Sequence, residues 1–168
     1  MRLYNEKMEV ILDKIHDIDH YENYIKVNFP NLYHPEFIEC KEMVLWNKEN
    51  RFMEDWNNNV LWNVLENLVK YYTCKSSTEF SVFNEFNTND YIDSSMEEGE
   101  RINIAFAIYN RWIYLLKEQF PNYHFYFRLD YNEENKNFSG VFHKFRASEP
   151  AGGWDLYEKD RAILMDIV

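Results

Sequence analysis

The chain has 168 residues, of which 46% are hydrophobic and 18% aromatic, and it carries a net charge of −11. That aromatic content is beyond what a disordered chain carries, and this length suffices for a single domain, residues 1–168, to bury a core without disulfides or metals. The charge excludes a general nucleic-acid binder, which needs clustered Lys and Arg against phosphate.

In chain order, Leu3, Met8, Ile11, Leu12, Ile15 and Ile18 recur at helical spacing and predict a helix over about 3–18. Residues 21–36 lose the period and contain Pro30 and Pro35, which predicts an ordered aromatic loop. Residues 37–47 are read as a further helix. Phe52, Met53, Trp56, Val60, Leu61, Val64, Leu65, Leu68, Val69 and Tyr72 predict a long helix over about 50–73, weakest at Asn57, Asn58 and Asn59. Phe80, Val82, Asn84 and Phe86 alternate with Ser81, Phe83 and Glu85, the pattern of a short strand. Ser95 and Glu98 give a capping-box start to a helix whose apolar stripe runs from Ile102 to Phe120, before Pro121 stops it.

Tyr123, Phe125, Phe127, Leu129 and Tyr131 alternate with more polar neighbours and form the clearest strand. After the turn Asn132–Asn137, the stretch from Phe138 returns as its antiparallel partner, with Gly140 expected to mark a bulge. A last apolar run, Ala162 to Val168, closes the sequence. Helices early and strands late predict an α+β fold, with an antiparallel sheet built mainly from the C-terminal half and long amphipathic helices packed on one face.

Cys40 and Cys74 are the only cysteines, too few for a disulfide framework, and no apolar run reaches the length of a signal peptide core or a membrane span. A cytoplasmic location without membrane attachment is expected. His16 and His20 stand four apart, a spacing that two metal ligands on one helix would have, but no HExxH or paired-Cys pattern supplies further ligands. Neither cysteine lies in a motif pairing a thiolate with a base, and the four glycines form no phosphate-cradling loop. No catalytic residue, metal or cofactor is assigned, and the chain is expected not to be an enzyme.

Two surfaces stand out. Residues 76–100 hold Glu79, Glu85, Asp90, Asp93, Glu97, Glu98 and Glu100 without one Lys or Arg, so this stretch accounts for seven of the eleven net negative charges. Part of that clustering suits a helix N-terminus, where the dipole stabilises carboxylates; the remainder predicts an acidic docking surface for a basic protein partner. The second surface assumes Phe127 opposite Val141, which places His124, Arg128, Lys144 and Arg146 together on one sheet face as an anion or partner site, unless each pairs with a neighbouring acid.

The C-terminal pattern Gly140–Arg146, followed by Glu149-Pro-Ala-Gly-Gly-Trp154, Leu156, Tyr157 and Ile163–Val168, resembles the tail of small bacterial immunity proteins of polymorphic or contact-dependent toxin systems. The resemblance implies a stoichiometric inhibitor that sits on a cognate toxin domain, often a basic nuclease, and it brings no catalytic residues. Two other readings remain open: a small enzyme or ligand-binding protein with an aromatic pocket, and an acidic anti-defence inhibitor of a nucleic-acid enzyme.

Overall fold

The computed structural model of the chain describes residues 1–48, 58–93, 95–149 and 161–168, and it is α+β. Its centre is a five-stranded, wholly antiparallel sheet with strand order β1–β7–β5–β6–β4, made of β1 (Arg2–Tyr4), β4 (Glu85–Asn87), β5 (Phe125–Asn132), β6 (Asn137–Lys144) and β7 (Arg161–Ile167). Phe125, Phe127, Leu129 and Tyr131 alternate onto one face, joined by Phe138 and Phe142 from β6, Ala162 and Leu164 from β7 and Phe86 from β4. Against them pack α1 (Glu6–Leu12), α2 (Ile18–Asn28), α3 (Pro30–Tyr33) and α6 (Glu98–Gln119), whose inward side chains Met8, Ile25, Leu32 and Trp112 belong to the same core. The long helix α6 lies across this face with most of its length buried, and Trp112 donates its indole N–H to the Leu32 carbonyl at 2.8 Å.

β2 (Phe37–Cys40) and β3 (Met43–Trp46) form a separate hairpin where a helix was expected. Lys41 and Glu42, its two central residues, both have positive φ (50° and 66°), as a two-residue type I′ turn requires. Phe37, Val44 and Trp46 join the main core, while Met43 and Leu45 meet Leu65 of α4 (Asn58–Tyr71) in a second one. The hairpin thus has two apolar faces, and its residues 43–46 are all buried, which erases the alternation by which a strand is recognised.

Other expectations need correction. The helix expected over 3–18 is instead strand β1, helix α1 and a loop: Asn5 caps α1 by accepting from the Met8 N–H at 3.0 Å, and Asp17 turns the chain at φ 53°. Residues 21–36 are mostly helical, because Pro30 sits in the first turn of α3 and Pro35 lies beyond it, so the prolines bound helices instead of breaking one. Residues 79–83 form a π-turn between α5 (Lys75–Thr78) and β4, so the strand expected there is confined to 85–87. The capping box is made by Glu97 and Glu100, not by Ser95 and Glu98. Gly140 marks no bulge; its missing side chain makes room for the Phe86 ring, since a Cβ there would lie 2.1 Å from Phe86 Cε1. Phe52, Met53 and Trp56, together with Pro150 to Tyr157 of the C-terminal pattern, lie outside the described residues. No described helix is long and apolar enough to cross a membrane.

Candidate functional site

The register of β5 and β6 overturns the predicted basic face. Phe127 pairs with Phe142, not Val141, and Arg128 pairs with Val141. A shift of one residue moves a side chain to the other face, so Arg128 and Lys144 stand on opposite sides of the sheet. Arg128 is buried and donates to Asp130 Oδ1 at 2.7 Å, and Asp130 also has Arg161 at 3.7 Å. Lys144 sits 3.2 Å from the centre of the Tyr123 ring and 3.6 Å from Glu39. Arg146 closes a bidentate pair with Glu79 at 2.6 and 3.1 Å, and His124 is exposed just before β5. These four residues do not form one surface.

The acidic stretch divides as well. Glu79 is fully buried and lies beneath the surface: besides Arg146, its Oε1 accepts from the Val44 N–H at 2.7 Å, which ties the π-turn to the β2–β3 hairpin. Glu85 accepts from the Ser139 hydroxyl at 2.7 Å, and Asp90 lies 3.5 Å from Lys48. Glu98 takes the Tyr131 hydroxyl at 3.0 Å and Lys14 at 3.5 Å. Burial, and then this bond to Glu98, push the Tyr131 phenol up to about 12.

The remaining three, Asp93, Glu97 and Glu100, are exposed and have no ion-pair partner among the described residues. Their geometry is set by the backbone. Asp93 Oδ1 accepts the Ser95 N–H at 2.8 Å, which holds its carboxyl below the usual range, and Glu100 Oε2 accepts the Glu97 N–H at 3.3 Å in the reciprocal capping box.

Tertiary structure adds a fourth carboxylate that the linear sequence does not associate with them. The His16 N–H donates to Asn103 Oδ1 at 2.7 Å, so the start of α2 lies beside the first turns of α6. The Tyr21 phenol is consequently held above its ordinary value, by burial first and then by the nearby charges of Glu100, Asp17 and Glu97. Two helix N-termini thus present carboxylates around one tyrosine. The only signal for Asp17 in the sequence is its place just ahead of Ile18 as a cap-type residue, which a continuous 3–18 helix conceals.

A cleft of about 210 Å³ opens beside α3, lined by Asn31, His34, Glu36, Asn47, Lys48 and Tyr91 among others. Among the described residues that line it, the one carboxylate, Glu36, accepts from Asn47 Nδ2 at 2.5 Å, and there is no Ser, Thr or Cys. His16 lies in the α1–α2 loop and His20 within α2, and no group of three metal-ligating residues gathers among the described residues. Cys40 and Cys74 are free; burial raises the Cys40 thiol, while Cys74 caps α5 by accepting from the Ser77 N–H at 3.4 Å. Comparison with protein-family models, with curated proteins and with solved structures finds no match.

Proposed function

We propose that this chain is an acidic binding protein that neutralises a basic partner, and that the partner is a cognate toxin domain held stoichiometrically in the manner of bacterial immunity proteins. The observation that carries the reading is the rim of exposed carboxylates where α2 and α6 begin: Asp17, Glu97 and Glu100 around Tyr21, with Asp93 just ahead of α6, none of them paired to a cation among the described residues. A surface of this kind raises the rate of encounter with a positive surface and fits the cation sites by which a nuclease groove holds phosphate.

The test is association of the chain with the polypeptide encoded immediately beside it, followed at several ionic strengths. Asp17→Asn, Asp93→Asn, Glu97→Gln and Glu100→Gln together remove four charges, and the amide oxygens at 93, 97 and 100 can keep the local hydrogen bonds of the carboxylates. The expected result is association slowed about tenfold or more at low salt, with a shallower salt dependence and an unchanged melting temperature. Equal rates and slopes for the two proteins would overturn the assignment of this surface. Failure of the neighbouring polypeptide to bind either protein would overturn the immunity reading.

A further inference from the structure

The arginines of the chain are not alike. Among the described residues Arg2, Arg128, Arg146 and Arg161 each hold a carboxylate, and Arg101 is buried against Asn89. Arg111, on α6, has no carboxylate partner among the described residues. Its Nε donates to the Tyr33 carbonyl at 3.1 Å, and its guanidinium carbon sits 4.4 Å from the centre of the Tyr33 ring and 5.5 Å from that of Tyr114. Among the described residues neither Nη nitrogen has a hydrogen-bond partner, and neither is a buried orphan. Lys26 of α2, also without an ion pair among the described residues, has its Nζ 5.8 Å from the centre of the same Tyr33 ring, and Tyr114 is 55% exposed.

A guanidinium flanked by aromatic rings and fixed through Nε has already lost most of its side-chain freedom. What it offers is a planar fork of N–H donors matched to a carboxylate. Tyrosine and arginine are also among the residues enriched at the energetic centres of protein interfaces. We infer that the surface formed by Arg111, Tyr33, Tyr114 and Lys26 is a second docking site, which takes an acidic peptide segment of a partner protein by seating one carboxylate in the Arg111 fork. Two cations suffice for one carboxylate. Nucleic acid needs many phosphate contacts, which two cations do not supply. The surface continues past Tyr33 to His34, whose ring meets it edge-on at 4.6 Å and opens onto the cleft beside α3, so an extended segment has somewhere to run.

The experiment is an NMR titration of the full chain with a capped tetrapeptide of alternating glutamate and tyrosine, its glutamine counterpart, and an eight-nucleotide oligothymidine. Saturable shifts of the Arg111 Nε–H and the Tyr114 ring are expected with the glutamate peptide, at least tenfold weaker with the glutamine one. Arg111→Lys, which keeps the charge but not the fork, and Tyr114→Ala, which removes an exposed ring, are each expected to weaken binding fivefold or more while amide shifts elsewhere stay in place. The variant lacking the four rim carboxylates is expected to bind the peptide as well as the parent does, which separates this site from the acidic rim. The inference is overturned if no saturable shift appears, if the two peptides bind equally, if both single variants bind like the parent, or if the oligonucleotide binds these residues more tightly.

Discussion

Glu79 is ionisable, has no contact with water, and lies where three pieces of the fold meet. Burial pushes its carboxyl up to about 7, against the opposing pull of Arg146 and of the Val44 N–H. The folded chain therefore holds a proton there more tightly than the unfolded chain does. Its contribution to stability is full below about pH 4.5 and is lost as pH rises through about 7. Thermal melts from pH 5 to 8 are expected to show the parent losing stability relative to Glu79→Gln as pH rises; a constant difference would contradict the shift. Arg146→Met strands the carboxyl and is expected to cost about 3 kcal/mol or more, whereas Glu79→Leu with Arg146→Met recovers most of that loss, because an apolar pair needs no desolvated charge. None of this was visible in the sequence, where Glu79 is one more acid in a run of seven and its partner is 67 residues away.

Among the elements, Gly140 shows how a single missing Cβ sets the packing of an edge. β4 adds to the sheet only through β6, and Phe86, fully buried, lies over the Gly140 backbone. Gly140→Ala is expected to destabilise the fold by about 2 kcal/mol, with Phe86→Leu in the same chain relieving part of the strain, as read from denaturant midpoints. Apolar periodicity located α6 and β5 within a few residues, and the α+β class with them, although the capping box of α6 lies at Glu97 and Glu100 and not at Ser95 and Glu98. Periodicity failed at α2, where the prolines pointed to a loop, at the β2–β3 hairpin and where α1 ends early. The β2–β3 hairpin has no polar face, and its turn uses Lys41 and Glu42 where Asn-Gly would have announced it. The β5–β6 register was one residue off because two Phe-rich strands alternate equally well in either alignment, and that single step created the false basic face. The acidic rim was legible for Asp93, Glu97 and Glu100, which are close in sequence; Asp17 joins them only because α2 packs on α6.

At the scale of the whole molecule, charge is sorted by depth. Asp130 and Asp166 sit in the sheet with arginines beside them, and the exposed carboxylates of the rim, without an ion pair among the described residues, gather where two helices begin. The sheet order has a consequence for how quickly this arrangement is reached. β7, at residues 161–167, lies between β1 and β5, so Arg2 finds Asp166, at 2.6 Å, across a separation of 164 residues. Closing so long a loop costs entropy before any pairing offsets it, and such long-range contacts slow the search for the native state. In stopped-flow refolding the chain is expected to fold in milliseconds to seconds, not microseconds. The β1–β7 seam should form after the rate-limiting barrier: Arg2→Ala, which releases Asp166, is expected to speed unfolding several-fold and leave the folding rate nearly unchanged. An equal slowing of folding would place the seam in the nucleus instead, and the joining of the first strand to the last would then be the event on which the rest of the sheet waits.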